Sequence, residues 1–402
     1  MASSVLFDPG IFARLVGGQP AEQFFESSWE RDVTLYRKVG LDLDQIFTLE
    51  QFEMLAASAI GGASGRLNVV DKIAHPLLDA PNEADGVSKL FRLYQNKNTL
   101  LLTELQRYWR PITLLCRRLE RELLALGVRL SQRIGANAYL TPQRSQGFAL
   151  HYDDHCVFIV QIFGAKQWQV CAPIDELPVE RCTPETTMDR VGPPILEAEL
   201  TPGDVIYIPR GFPHAARTCD ASSLHLTLSL HTITWVSLLQ EALRAHPALR
   251  RSVPRATVQI EDMQRYFDRE LHAALEVDDL NERLDRRVGE MIARLVPVPH
   301  GRIRAIDRAS RLDAHTRVKH VDDALCVVHR DGDEVALRMP GTTLRLPAVM
   351  EPTLTFIART PAFCPAELPL GRANFDTVEL VRILVTEGLL DVVSTPNGAA
   401  TS

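Results

Sequence analysis

Residues 151–168 read HYDDHCVFIVQIFGAKQW. Three groups able to bind a metal, His151, Asp153 and His155, recur at every second position, and an apolar run, a glycine and a lysine follow. Alternate side chains of a strand share a face. Read as a strand, the stretch puts His151, Asp153 and His155 on one side and Tyr152 and Asp154 on the other. Strand positions i and i+4 lie about 13 Å apart, whereas ligand atoms sit about 2 Å from a metal ion. One straight strand therefore supplies a pair, His151 and Asp153. His155 is expected at the rim of the pocket, and the third ligand must come from elsewhere.

The best candidate is His214, in GDVIYIPRGFPHAA (203–216). Here a strand rises from a PGD turn, and the histidine opens the next strand. Two imidazoles and one carboxylate fill one triangular face of an octahedron and leave three cis positions open, the pattern of non-haem iron(II) oxygenases. The competing reading of His214 is a hydrogen-bonded histidine at a barrel end. Lys166 follows the hairpin signal FGA (163–165). A lysine inside an apolar barrel is costly unless an anion pairs with it, and a dicarboxylate would supply that anion. The alternative is a solvated lysine at a hairpin tip, and the residues alone leave both open.

Around this stretch the chain changes character three times. Residues 134–235 contain short β-branched runs broken by turn signals, as in an all-β barrel or sandwich. Before them, 20–37 predicts a short helix running into a strand. Residues 46–61 have helical periodicity, and 103–126 predicts one amphipathic helix, or two, around Pro111. After them, 236–297 reverts to helix. Beyond a polar, arginine-rich break at 301–312, strand-like pieces precede FDTVELVRILVTEGLLDVV (375–393), read as a helix with a glycine cap and a strand after it.

The 402 residues allow two or three domains. The net charge of −7 argues against a general nucleic-acid binder. From residue 301 onward 12 basic and 13 acidic side chains nearly balance, so that part is expected to pack against something rather than read DNA. Seven cysteines, at 116, 156, 171, 182, 219, 326 and 364, include no CxxC pair, which fits a reducing cytoplasm. No signal peptide is read at the N-terminus, and no 18-residue apolar run predicts a membrane span.

The stretches 137–170, 200–216 and 223–229 (SLHLTLS) together resemble the JmjC-type ribosomal oxygenases, 2-oxoglutarate- and iron(II)-dependent protein hydroxylases of the cupin superfamily. FFESSWERDVTLYRK (24–38) and LYQNKNTLLL (93–102) extend the resemblance. It implies an α+β chain: a double-stranded β-helix (cupin/JmjC jelly roll) catalytic domain at 1–235, a helical dimerisation region at 236–300 and a winged-helix-like domain at 301–402. The implied iron ligands are His151, Asp153 and His214. Lys166 would bind the distal carboxylate of 2-oxoglutarate, and Asn137 would stand near that cosubstrate. Tyr139 and one or more of His225, Thr227 and Ser229 would line its pocket, with Asp154 supporting. The implied partners are O2, a polypeptide such as a ribosomal protein modified at histidine or arginine, and a second copy of the chain. The sequence departs from the family at His155 and at Leu230, His231 and Thr232, where Thr-Tyr-Gln is usual. These departures leave the substrate open. A peptide natural product, a small molecule or an N-methyl group would use the same cofactors, and a non-catalytic metal-binding cupin would share the fold.

Overall fold

The computed structural model describes residues 10–60, 66–70, 74–76, 83–181, 188–253, 260–276, 280–298, 301–322, 324–369 and 375–393. By internal contacts they divide into two compact units, one ending at His231 and the other comprising 129–131 and 232 onward.

The first unit is built on strands β1 (Thr34–Tyr36), β2 (Leu67–Val70), β3 (Ala74–Pro76), β4 (Thr99–Leu102), β5 (Gly135–Thr141), β6 (Cys156–Gly164), β7 (Lys166–Cys171), β8 (Pro194–Leu200), β9 (Val205–Ile208), β10 (His214–Arg217) and β11 (Ser223–Leu230). Among the described residues they form two antiparallel sheets, ordered β1-β9-β6-β11-β5-β4-β2-β3 and β10-β7-β8. Side chains from both sheets, Val157, Ile159, Ile206 and Ile208 against Trp168, Val170 and Leu200, share one buried cluster. That is the two-layer sandwich of a JmjC/cupin barrel, in which each inner face buries what its partner sheet offers.

β11 runs between β5 and β6. Its register places His225 opposite Tyr139, Thr227 opposite Asn137 and Ser229 opposite Gly135. Pleating then puts Asn137, Tyr139, Thr141, His225, Thr227 and Ser229 on one face. The interleaved Ala136, Ala138, Leu226 and Leu228 are buried on the other.

The segment 103–126 resolves into a short 3-10 turn, Leu105–Arg107, and one long helix, Arg110–Ala125, with Pro111 in its first turn. A proline there lacks only an N–H that would have no helical partner anyway. This helix buries Ile112, Leu115, Leu119 and Leu123. Its Glu122 carboxylate accepts from the backbone N–H groups of Gly10, Ile11 and Phe12, satisfying donors at the start of the helix Ile11–Leu15.

β6 and β7 join at Gly164, whose φ of +63° is left-handed. A Cβ built there would lie 1.8 Å from the carbonyl oxygen of Ser222. Gly164→Ala is therefore expected to cost at least about 2 kcal/mol of stability, read as a lowered midpoint in urea unfolding with an unchanged slope. An unaltered midpoint would show that the turn relaxes freely.

The second unit contains the helices Trp235–Ala245, Ile260–Glu276, Leu280–Ala293 and Arg302–Ala309. Beyond them, β12 (Val318–His320) pairs with β16 (Ala362–Phe363) and β17 (Leu390–Val392), and β13 (Val327–Asp331), β14 (Glu334–Met339) and β15 (Thr342–Pro347) form a meander. The helices Glu351–Arg359 and Thr377–Thr386 pack Leu354, Ile357, Leu380 and Leu384 into a core with Val318, Leu337 and Phe363. The last helix starts at Asp376, whose carboxylate accepts from the N–H groups of Val378 and Glu379, and a left-handed Gly388 follows its end. Among the described residues no helix is long and apolar enough to cross a membrane.

Candidate metal centre

His151 is not in a regular strand. It makes an isolated antiparallel bridge with His214, the first residue of β10, and residues 152–155 have no ladder partner. Read as an alternating strand, HYDDH is therefore corrected: the extended run begins only at Cys156. The bridge is formed by the backbone N–H of His214 on the His151 carbonyl at 2.8 Å and the reciprocal bond at 3.3 Å. It brings the two imidazole centroids to 4.6 Å. The N–H of Gly211 donates to the Asp153 carbonyl at 2.9 Å, fastening the loop between the two histidines to the turn before β10.

Each imidazole is oriented through Nδ1. That atom lies 2.8 Å from the Ala149 carbonyl in His151 and 2.9 Å from the Phe212 carbonyl in His214. A carbonyl only accepts, so Nδ1 carries a proton and Nε2 is the atom turned toward a ligand, as in metal-binding histidines. Nε2 of His214 lies 3.8 Å from Oδ2 of Asp153. One ligand atom from each of His151, Asp153 and His214 lies within 4.8 Å of the others. Burial, then the neighbouring His151 imidazole, pushes His214 down to about 4, so it is neutral near pH 7. Burial works to raise the Asp153 carboxyl, but the imidazoles of His214, His155 and His151 outweigh it and hold the group below its ordinary value, ionised. A carboxylate between two imidazoles is a donor set that fits one divalent cation.

Lys166 points into the barrel with 4% of its surface exposed, which excludes the solvated hairpin-tip reading. Its ammonium donates to Oγ1 of Thr141 at 2.9 Å. Among the described residues no carboxylate lies within salt-bridge reach of it, and burial pushes it down to about 7. Beside it, Tyr139 and His225 stack at 4.8 Å with rings 4° from parallel, and Trp168 meets the His225 ring edge-on at 5.3 Å. Burial, then Lys166, holds His225 far below the usual imidazole range. Burial, then the Asp153 charge, raises the Tyr139 phenol. Nε1 of Trp168 and Nδ1 of His225 are buried without a hydrogen-bond partner. Orphaned polar atoms beside a buried ammonium fit an anionic guest.

Asn137, Tyr139, Thr227 and Ser229 share the inner face, but not the same surroundings. Oδ1 of Asn137 accepts the N–H of Glu104 at 2.9 Å, and Ser229 lies against Gly135. Thr141 and Trp168 were not among the residues singled out from sequence. The alternation 137-139-141 on β5 and 166-168-170 on β7 was the signal for both. Asp154 and His155 do not point to opposite sides, as an alternating strand would require: both gather with His231 in a second cluster.

Residues 117–238 match the JmjC domain family. That stretch is similar to a JmjC domain. Human ribosomal oxygenase 1 is 32% identical over 273 residues, covering 61% of this chain and 39% of that one. The bifunctional lysine-specific demethylase and histidyl-hydroxylase NO66 of Aedes aegypti is 42% identical over 132 residues, 30% of this chain and 21% of its own. The chain thus spans about two fifths of the length of the first relative and one fifth of the second. In fold it resembles the crystal structure of the Escherichia coli ribosomal oxygenase YcfD, with a TM-score of 0.56 at 17% identity over 93% of this chain and 98% of that one. The structure of YcfD in complex with cobalt and 2-oxoglutarate gives a TM-score of 0.55 at 17% identity over 94% and 99%.

Proposed function

We propose that this chain is an iron(II)- and 2-oxoglutarate-dependent oxygenase of the JmjC type that hydroxylates a side-chain carbon of a polypeptide, with histidine or arginine of a ribosomal protein as the target. The observation that carries the proposal is the pairing of His151, Asp153 and His214 with a buried Lys166 that has no carboxylate partner among the described residues. Iron(II) with 2-oxoglutarate and O2 supplies the oxidising power to hydroxylate an unactivated C–H bond.

The chain's own residues do the rest. Nε2 of His151, the Asp153 carboxylate and Nε2 of His214 would hold the metal, and such a set leaves positions open for a bidentate ligand and O2. Lys166 and the Thr141 hydroxyl would receive the distal carboxylate of 2-oxoglutarate, and that carboxylate would return the ammonium to its charged form. Nδ1 of His225 and Nε1 of Trp168 offer further polar contacts. Val157, Ile159, Ile206 and Ile208 line the interior and keep water from it. Asn137, Tyr139, Thr227 and Ser229 stand on the same inner face and would shape the cosubstrate pocket.

The names of the relatives support a polypeptide substrate. The lysine-demethylase name of one relative favours a second reading, oxidation of an N-methyl group. Both readings are tested by incubating the chain with iron(II), 2-oxoglutarate and ribosomal proteins or methylated peptides. Hydroxylation adds one oxygen atom to a peptide that Asp153→Ala leaves unmodified, whereas demethylation releases formaldehyde. Succinate formation with neither product would refute both substrate readings.

The second unit is proposed to supply the dimer contact and a winged-helix-like module. Trp235, Val236, Leu239, Phe267 and Leu275 are exposed on its first two helices, which supports burial against a second copy. Three helices with a three-stranded sheet and a β-meander from Arg302 onward support the module. The described cysteines are all free, which supports a cytoplasmic location; Cys182 lies outside the described residues.

A further inference from the structure

β6 begins and β11 ends at one cross-strand pair, Cys156 opposite Leu230. One residue further out, His155 and His231 face each other with ring centroids 4.2 Å apart and planes 28° from parallel. Oδ1 of Asp154 lies 2.8 Å from Nδ1 of His155. One ligand atom from each of Asp154, His155 and His231 lies within 4.8 Å of the others. These residues come from the two chain ends of one strand pair, and none of them belongs to the triad of His151, Asp153 and His214.

We propose that Asp154, His155 and His231 form a second divalent-metal site, suited to zinc and distinct from the triad. Two imidazoles and one carboxylate are a borderline donor set. They select zinc and its neighbours over magnesium or calcium, which take oxygen ligands. Three protein ligands leave a fourth tetrahedral position for water. Ligand atoms around a tetrahedral zinc stand about 3.3 Å apart, so the set must close by small side-chain rotations. Asp154, with 22% of its side chain exposed against 10% for His155, has the room to turn. The Arg181 guanidinium lies 3.8 Å from Asp154, and with 75% of its side chain exposed it is free to swing into water. An ion here ties the start of β6 to the end of β11, one residue from Asp153.

The full chain, with zinc as the sole metal, tests this. Wild type is expected to bind about two zinc ions per chain in equilibrium dialysis with elemental analysis, and His231→Gln about one. The ion that His231→Gln retains at the triad shows that the variant is folded. The double variant His151→Ala/His214→Ala cripples the triad, so its remaining zinc reports the second site alone. Its thermal midpoint should rise with added zinc, because an ion that binds only the folded state stabilises it, and adding His231→Gln should abolish that rise. Equal zinc content in wild type and His231→Gln, or a double variant whose midpoint ignores zinc, overturns the proposal and leaves the reading of the triad untouched.

Discussion

Asp153→Ala is expected to abolish 2-oxoglutarate turnover and to weaken divalent-metal binding by more than the roughly 10–100-fold that loss of an outer hydrogen-bond partner costs a metal site. The expectation follows from charge. His151 and His214 present their Nε2 atoms, each ring fixed by an Nδ1–H bond to a backbone carbonyl. Asp153 is then the anion of the set, lying 3.8 Å from Nε2 of His214 and held ionised by the three imidazoles around it despite its burial. Its removal leaves two imidazoles and no anion to offset the charge of a divalent ion, one ligand short of the facial set. The backbone bridge between His151 and His214 does not depend on the carboxylate, so the fold should survive. Cobalt titration followed by calorimetry, with succinate release as the functional readout, checks this. An Asp153→Ala chain with wild-type cobalt affinity would remove Asp153 from the metal centre.

Lys166→Met should raise the 2-oxoglutarate concentration needed for half-saturation by roughly thirtyfold to a few thousandfold. That range corresponds to the about 2–5 kcal/mol lost when one partner of a buried charge pair is truncated. The pH dependence separates a charge effect from a packing effect. Burial lowers the Lys166 ammonium to about 7 before any anion arrives, and pairing with a carboxylate raises it again. Affinity for 2-oxoglutarate should therefore be full below pH 7 and fall by about tenfold per unit above it. Lys166→Met should lose that slope. The same linkage acts on stability with the opposite sense. Because the folded value lies below the ordinary 10.5, folding disfavours the charged form, and the ligand-free chain should gain stability as pH rises from about 7 toward 10.5. An unchanged cosubstrate requirement in Lys166→Met would mean that the distal carboxylate binds elsewhere.

Much of this architecture was legible because local and global signals agree. The apolar run after His155 could only be a doubly buried strand, and Gly164 marked its turn because no other residue fits a left-handed position against the Ser222 carbonyl. The helix of 110–125 was readable from its periodicity. Whether Pro111 would break or begin it depended on the 3-10 turn upstream. HYDDH misled for a definite reason. A period of two has meaning only where a ladder partner holds the pleat, and after the single bridge at His151 the backbone has none until Cys156. The facing of Asp154 and His155 was thus set by the loop. Their meeting with His231 followed from the register of β6 on β11, a contact between residues 76 positions apart that no local pattern encodes. The inward aim of Lys166 could not be read from its own neighbours either. It depends on Thr141, contributed by β5 of the other sheet, and on Trp168, two residues along its own strand.

The account stands on one arrangement, and diffraction from crystals grown with cobalt and 2-oxoglutarate tests it most directly. Anomalous scattering at the cobalt edge should place an ion about 2 Å from Nε2 of His151, a carboxylate oxygen of Asp153 and Nε2 of His214, with the distal carboxylate of the keto acid on the Lys166 ammonium. An ion bound without His214, or a keto acid whose far end turns away from Lys166, would contradict it.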